Sequence, residues 1–342
     1  MTTFVAAVFV FGLLIFIHEL GHFLVAKRSG ILVHEFALGF GPKLAGIKRG
    51  DTLYSIRAFP LGGFVRMAGM DPNEDEAKIG PGRSFKEKPV WKRMAVIFAG
   101  PLMNLVLAAV LLAVVFLFQG LPMATTTVGE VLPDRPALAA GVRPGDRIVA
   151  VDGAPVRTWA ETSTRISEGT GREIALTVER GGERLVLRVK PMEVDGRAVI
   201  GIRPMVEPRP VGVVTALGEG VRYTWWFITL IFGFIGQMFF HQAPAELAGP
   251  VRIVAEIGDV ANRFGFLALL QLAAFLSVNL GLFNLFPIPA LDGSRLMFLA
   301  WEGISGRPVN PEKEGFIHLI GFGLLLVLMV VVTYNDIMQL IM

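Results

Sequence analysis

A His-Glu-x-x-His motif lies inside an apolar run that is long enough to cross a membrane. The motif is His18-Glu19-Leu20-Gly21-His22, and the run extends from Phe4 to Ala26. Residues four apart share one face of a helix, so the two imidazoles can bind one zinc ion with a carboxylate beside them. About 20 apolar residues span a bilayer, and ionisable side chains inside such a span mark function. The first helix is therefore expected to span a membrane and to carry part of a metal site.

The composition favours a membrane protein. Of the 342 residues, 53% are hydrophobic and 18% are charged, whereas soluble domains carry about 25% charged residues. Cysteine is absent, so a metal site must use His, Asp or Glu. The net charge of +3 comes with no long basic tract, and nucleic acid is not an expected partner. The N-terminus lacks the features of a cleavable signal peptide, so the first span is expected to be retained.

Four apolar runs predict a polytopic α-helical membrane protein with four transmembrane helices. Lysines and arginines follow the first run and precede the second, which places the segment between them on the cytoplasmic side. The N-terminus and residues 122–210 are then expected on the outer side. The predicted domains are 1–121, 122–210 and 211–342, with spans at about 4–26, 94–118, 264–289 and 316–338.

Residues 221–262 are apolar and aromatic at their start but are not counted as a span. If they crossed the membrane, Asp292 would emerge far from the histidine pair, on the wrong side for a shared site. Trp225 and Trp226 are suitable anchors at a membrane interface. We therefore expect this segment to lie in the outer interface, or to dip into it, without crossing.

The polar segment 122–210 resembles a bacterial PDZ domain, which implies an inserted α+β fold. The resemblance rests on Gly145-Asp146-x-Ile148, followed by Val151-Asp152-Gly153, and on a predicted hairpin around Gly181-Gly182. PDZ domains bind extended peptides or chain termini by strand addition. The resemblance implies a peptide groove lined by Ile200, Gly201 and Ile202. A spacer or a steric cap over the membrane site is the alternative.

Asp292 is the candidate third ligand, because a catalytic zinc takes three protein ligands and a water. It lies in the segment 284–293, where Pro287 and Pro289 cannot continue a helix. Broken backbone at membrane depth persists only where protein or a water-filled cavity covers it. A polar site shared with the histidine pair explains both features, although a structural metal or a helix-joining patch remains an alternative. The histidines interpreted as non-ligands are His34, His241 and His318.

Glu19 is the candidate general base of such a site. Zinc lowers the pKa of water and polarises a carbonyl, while the carboxylate can take the water proton and return it to the leaving amine. The motif begins about 14 residues into the span, roughly 21 Å along the helix at 1.5 Å per residue. It therefore lies toward the inner side of a hydrocarbon layer about 30 Å thick.

Together, these motifs resemble the site-2 type intramembrane zinc metalloproteases, and more narrowly the bacterial regulator-of-sigma-E protease branch. The histidine motif is similar to the family's first motif, and residues 284–293 are similar to its second. The resemblance implies that Zn²⁺ is bound by His18, His22 and Asp292, with Glu19 as the catalytic carboxylate. It also implies that Asn279 and Asn284 hold the substrate backbone. Ser294 departs from the pattern, since a second glycine is common after Asp-Gly.

The family also implies a setting for the reaction. It places the chain in the bacterial cytoplasmic (inner) membrane, with the PDZ domain on the periplasmic side and the N-terminus outside. The implied partners are the lipid bilayer, single-span membrane protein substrates and an upstream site-1 type protease that trims them. Anti-sigma factors and signal-peptide remnants are the implied substrates, cleaved in regulated intramembrane proteolysis.

Residues 50–70 are expected to form a membrane-associated β-hairpin loop, which also resembles a family feature. An exposed strand edge there could pair with an unwound substrate, since proteases cut extended chains. Ile56, Val65 and Arg66 are the candidate substrate-binding residues of this loop. An ordinary cytosolic hairpin is the alternative.

Two other functions stay open at this point. The chain could be a membrane-anchored PDZ scaffold whose metal site is not catalytic. It could also be a metal transporter, because broken helices and intramembrane ligands suit an ion path. The absence of an internal repeat and the large insert argue against transport.

Overall fold

The computed structural model describes residues 2–70, 79–194, 196–240 and 249–341, so His241 lies outside the described residues. The chain divides into two compact units, of which one comprises Met1–Phe116 and Gly212–Met342 and the other is the insert Leu117–Val211. The elements in chain order are α1 (Thr3–Arg28), β1 (Val33–Arg49), β2 (Thr52–Met67), α2 (Val90–Gln119), β3 (Leu121–Val131), α3 (Pro136–Ala139), β4 (Arg147–Val151), β5 (Ala154–Pro155), α4 (Trp159–Ser167), β6 (Ile174–Arg180), β7 (Glu183–Val189), β8 (Met192–Val194), β9 (Arg197–Val199), β10 (Ile202–Arg209), α5 (Val213–Phe239), α6 (Pro250–Arg263), α7 (Gly265–Leu285), α8 (Asp292–Ser305) and α9 (Pro311–Ile341).

Four helices in the described part of the chain are long and apolar enough to cross a membrane. They lie in α1, α2, α7 and α9, at Thr3–Arg28, Val90–Gln119, Gly265–Leu285 and Glu312–Gln339. This arrangement fits a polytopic helical membrane protein. The third helix ends at Leu285, earlier than the predicted residue 289, because Pro287 and Pro289 cannot donate the hydrogen bonds of another turn.

Helices α1 and α2 pack with their backbones close together. A β-carbon placed on Gly21 would lie 2.3 Å from the carbonyl oxygen of Ala99, so only glycine permits this approach. The buried face of α1 has helical spacing and includes His18 and His22 beside apolar and small residues. Because of this close contact, both histidines of the motif pack against α2.

The hairpin of β1 and β2 begins at Val33 and is longer than the predicted loop at 50–70. Both strands bend, and Gly39 and Gly41 in β1 have φ values of +90° and +82°, which L-residues rarely adopt. Residues 33–38 consequently pair with residues 63–67 on one side and with residues 53–56 on the other. The hairpin thus folds into a small sheet, and its length escaped prediction because the bends depend on glycines rather than on strand-forming residues.

Helix α5 covers the first part of the predicted interfacial segment and begins earlier, at Val213, while α6 covers its end. It lies alongside α7, since Phe227 contacts Phe275 with ring centroids 5.3 Å apart. Five residues further along, Phe232 lies 6.2 Å from Phe286, just beyond the end of α7. These contacts pack α5 against α7. That residues 221–262 lie in the outer interface, or dip into it, without crossing stays a prediction.

The insert is an α+β unit with its own core. Its sheet has the order β10-β3-β4-β6-β7, with β5 beside β4 and antiparallel pairing throughout. Val128, Ile148 and Leu176 are fully buried in its core. Asp146 is buried beside them, and burial alone would raise its pKa. Two hydrogen bonds from the Arg180 guanidinium, each 2.7 Å, and one from the Arg143 N–H hold that pKa below its ordinary value.

Candidate metal centre

Three ligand atoms from two distant parts of the chain converge on one point. The Nε2 atoms of His18 and His22 lie 3.2 Å apart. The Oδ2 atom of Asp292 lies 3.2 Å from the first and 3.3 Å from the second. Both histidines belong to α1, whereas Asp292 is the first residue of α8 and follows the proline-containing loop. The structure thus brings together the three ligands that the sequence predicts.

The spacing of these atoms fits a tetrahedral zinc ion. Bonds of about 2.0–2.2 Å at tetrahedral angles place neighbouring ligand atoms about 3.3–3.6 Å apart, close to the observed 3.2 and 3.3 Å. Among the described residues, buried Oδ2 of Asp292 has no hydrogen-bond partner of good geometry. A buried carboxylate oxygen without a partner is costly, and a bound cation removes that cost. His18, His22 and Asp292 therefore fit the metal that the sequence implies.

The hydrogen bonds behind the ligands set the histidine tautomers. Nδ1 of His22 donates to the carbonyl oxygen of Val96 at 2.8 Å, which leaves the Nε2 lone pair free for a metal. Nδ1 of His18 lies 3.2 Å from the side-chain amide of Asn104. Rotating this amide by 180° lets its Oδ1, which lacks a partner among the described residues, accept from Nδ1–H. Helix α2 thus supplies an orienting acceptor to each histidine.

Glu19 lies beside the ligands and lines a cavity of about 600 Å³ together with all three of them. A β-carbon on Gly63 of β2 would lie 3.0 Å from Cγ of Glu19, so the hairpin approaches this side chain closely. Residues 63–67 form part of the cavity wall, next to α1. A carboxylate beside the ligands and a cavity for an extended chain are the parts that peptide hydrolysis requires.

Strand segment 63–67 presents an edge to the cavity. Among the described residues it pairs with β1 on one side only. Val65 and Arg66, two of the predicted substrate-binding residues, belong to this edge and line the cavity. Ile56 does not reach it, because it pairs with Leu38 on one side and Ala45 on the other. The structure therefore leaves Ile56 outside the candidate site, in an interior strand whose backbone groups are already engaged.

Glu35 is a buried carboxylate that braces this sheet and that sequence reasoning missed. Ser55 and Arg57 each donate a 2.7 Å hydrogen bond to its Oε1, and Arg66 lies 3.7 Å from Oε2. Burial alone would raise the pKa of Glu35, but these partners hold it below its ordinary value. The alternation of residues along β1 does not reveal this role of Glu35, because its partners come from separate segments of β2.

The two predicted asparagines lie on α7 at different distances from the cavity. Asn284 lines the cavity and donates its side-chain N–H to the carbonyl of Leu280 at 3.0 Å. Asn279 donates in the same way to Phe275 at 3.1 Å but is not a lining residue. No described residue donates to Oδ1 of Asn284, which leaves that atom able to accept from a substrate N–H.

The predicted peptide groove lies within the insert. Ile200, Gly201 and Ile202 line a cavity of about 300 Å³ beside Trp159 and Ile166 of α4. Strand β10 starts at Ile202, and within the described residues it pairs only with β3. One edge of β10 is thus free beside the cavity.

Gly100→Ala is expected to lower zinc affinity at least about tenfold, as losses of orienting contacts do. A β-carbon at Gly100 would lie 2.3 Å from Nε2 of His22, so the ring must move away from the other ligands. Gly12→Ala on α1 is the matched control, because its β-carbon meets nothing within 4 Å. Competition with a chelator measures both affinities; equal values for the two variants would contradict this placement of His22.

Comparison with known proteins places this geometry in a family. Residues 6–328 match the family model described as "Peptidase family M50". The chain is 36% identical to the zinc metalloprotease RasP of Bacillus licheniformis, over 99% of this chain and 100% of that protein. It is 34% identical to the regulator of sigma-W protease RasP of Bacillus subtilis, over 99% of both chains.

A solved PDZ domain of an SdrC-like protein from Listeria innocua also matches, at 25% identity. The match covers 23% of this chain and 92% of that domain, with a TM-score of 0.21. A TM-score of this size does not establish a shared fold.

Proposed function

Because this chain belongs to peptidase family M50 and is a zinc metalloendopeptidase with Zn²⁺ as its cofactor, we propose that it cuts single-span membrane proteins within the bilayer. His18, His22 and Asp292 hold the zinc in this proposal, and Glu19 is the catalytic carboxylate. The observation that carries it is the convergence of two imidazole nitrogens and one carboxylate oxygen at 3.2–3.3 Å, with both imidazoles on a helix that is apolar enough to span a membrane.

Each residue has a separate task in the reaction. Bound zinc supplies a water of lowered pKa and polarises the scissile carbonyl. Glu19 accepts the proton of the attacking water and later gives it to the nitrogen of the leaving amine. Val96 and Asn104 keep the two histidines oriented with Nε2 toward the metal.

The edge segment 63–67 is proposed to hold the substrate in an extended form. An unwound chain that adds to this edge exposes its carbonyls, which a helix would keep hydrogen-bonded. Val65 and Arg66 line the cavity on this edge, and Gly63 allows it to approach Glu19. Oδ1 of Asn284, which also lines the cavity, is proposed to accept a substrate N–H. Asn279 is proposed to steady the substrate further along α7.

Four crossings are proposed, at α1, α2, α7 and α9, in a bacterial inner membrane. The N-terminus and the insert then lie on the periplasmic side, and the hairpin lies on the cytoplasmic side, with Lys27 and Arg28 at the inner end of α1. Residues 221–262 are proposed to lie in the outer interface, or to dip into it, without crossing. With these four crossings, α7 runs from the outer to the inner side, so the start of α8 lies near the same side of the membrane as His18 and His22.

Cysteine labelling tests this orientation directly, because the natural chain has no cysteine. Glu183→Cys in the insert is expected to react with a membrane-impermeant maleimide in intact spheroplasts. Lys48→Cys in the hairpin is expected to react only after permeabilisation. Both positions are exposed, so the reverse pattern would contradict the proposed topology.

The substrates are proposed to be anti-sigma-factor-like proteins and signal-peptide remnants that a site-1 type protease has already shortened outside. The name of the Bacillus subtilis relative, regulator of sigma-W protease, supports this class. The insert is proposed to be a PDZ domain that reads or filters trimmed ends, with β10 and α4 forming its groove. Strand addition to the free edge of β10 is the expected mode of binding.

Cleavage of a reconstituted single-span substrate tests the proposal. The enzyme is expected to cut a substrate whose outer domain has been removed faster than the same substrate with that domain intact. A Glu19→Gln enzyme gives the blank for both. Equal rates on both substrates would contradict the trimming requirement, and no zinc-dependent cleavage of either would contradict the function.

A further inference from the structure

The loop that delivers Asp292 touches the last helix at two points. This loop runs from Phe286 to Leu291, between α7 and α8. The backbone N–H of Ala290 donates to Nδ1 of His318 on α9 at 2.9 Å. A β-carbon on Gly321 would lie 2.2 Å from Cβ of Pro289 and 2.7 Å from its carbonyl oxygen. Residues three apart share a helix face, so one face of α9 holds both loop residues that precede Leu291 and Asp292.

The backbone of this loop needs external support. Ala290 has φ +78°, in the left-handed region that residues with a side chain rarely adopt. Such a conformation persists only where the surrounding contacts determine it. The hydrogen bond to His318 uses the N–H of this residue, and the contact at Gly321 fixes the residue before it. Helix α9 therefore contacts both the strained residue and the residue before it.

The ring of His318 also lies close to Glu314 and Phe298. Because Nδ1 accepts from Ala290, the ring proton is on Nε2, which lies 3.7 Å from Oε1 of Glu314 one turn earlier. Phe298 of α8 meets the ring edge-on, with centroids 6.0 Å apart. By contrast, the apolar part of α9 is almost entirely exposed. Its contact with the Asp292 loop is thus one of the few points where α9 meets the rest of the unit.

We propose that α9 acts as a clamp on the loop 286–291, with His318 and Gly321 as positioning residues that set Asp292 relative to His18 and His22. This inference rests on the proposed role of Asp292 as a metal ligand. A movement of α9 away from the loop would release Ala290 from its strained conformation and shift the carboxylate two residues later. The last span would therefore control the metal geometry without contributing a ligand.

Metal binding by the full-length protein in detergent tests the clamp. The variants are His318→Leu, which removes the acceptor, and His318→Asn, which keeps an acceptor at the δ position. Gly321→Ala adds a methyl group against Pro289, and Gly323→Ala is its matched control, since that β-carbon meets nothing within 4 Å. Chelator competition gives the zinc affinity of each, the visible spectrum of the Co²⁺ form gives the ligand geometry, and the melting temperature reports folding.

His318→Leu and Gly321→Ala are expected to weaken zinc binding about 10- to 100-fold, the range for losing a group that orients a ligand. Both are expected to alter the Co²⁺ spectrum. His318→Asn should recover most of the affinity, and Gly323→Ala should match the wild type. Wild-type affinity and spectrum in both clamp variants, or an equal loss in Gly323→Ala, would overturn the clamp.

An Asp292→Ala protein distinguishes a failure of the clamp from a failure of the proposed ligand set. Loss of zinc in this variant, with full affinity in the clamp variants, would reject the clamp and leave the proposed ligand set intact. Wild-type zinc affinity in Asp292→Ala would reject the ligand set itself. A lower melting temperature in the clamp variants without a change in zinc affinity would show that α9 serves only packing, and would also overturn the clamp.

Discussion

A Glu19→Gln enzyme is expected to bind zinc like the wild type and to cleave at least about 10²- to 10⁴-fold more slowly, the usual contribution of a general base. Glutamine has the same shape, so it can keep the contact with Gly63. It cannot take a proton from water, and no described ligand atom changes. The measurement is the zinc content of the purified protein together with the cleavage rate of a single-span substrate.

Glu256→Gln provides the matched control for this substitution. Glu256 is an exposed carboxylate on α6, and the same change there should leave the rate unaltered. Full activity in Glu19→Gln would remove this carboxylate from the mechanism. Loss of zinc in that variant would instead show that Glu19 belongs to the ligand set.

Asp292→Ala is expected to lower zinc affinity more than about 100-fold, beyond the effect of losing an orienting group, and to abolish cleavage. The substitution leaves two imidazoles, whereas a catalytic zinc takes three protein ligands. It also removes the buried Oδ2 that lacks a hydrogen-bond partner among the described residues. The apoprotein should therefore fold, and its loss of activity should follow its loss of metal.

Asp259→Asn is the control for this second prediction, because Asp259 is an exposed acid on α6 that pairs only with Arg263 at 3.5 Å. Chelator competition on both variants measures the effect. Stoichiometric zinc of wild-type affinity in Asp292→Ala would contradict the ligand assignment, even if cleavage were lost.

The parts of the site that depend on local sequence were predictable. The histidine pair follows from a spacing of four residues on a helix. Asp292 follows from Pro287 and Pro289, since broken backbone in an apolar region needs a polar or protein-covered site. The helices long and apolar enough to span likewise lie in the apolar runs, because hydropathy is a property of short windows.

The parts that depend on packing were not predictable. The contact of Asn104 with His18 requires α1 and α2 to approach at Gly21 and Ala99. Ile56 looked like an edge residue until the bends in β1 placed it between two partners. His318 was interpreted as a non-ligand, and no sequence pattern indicated its hydrogen bond to Ala290.

The central claim is that a zinc site inside the bilayer cuts a transmembrane segment. The most direct test is mass spectrometry of the fragments from a trimmed single-span substrate, cleaved by the zinc-loaded protein in proteoliposomes. We expect one cut within the spanning segment, toward its cytoplasmic end, that disappears in the Glu19→Gln enzyme. A cut confined to the soluble parts of the substrate, or an unchanged cut in the Glu19→Gln enzyme, would contradict the account.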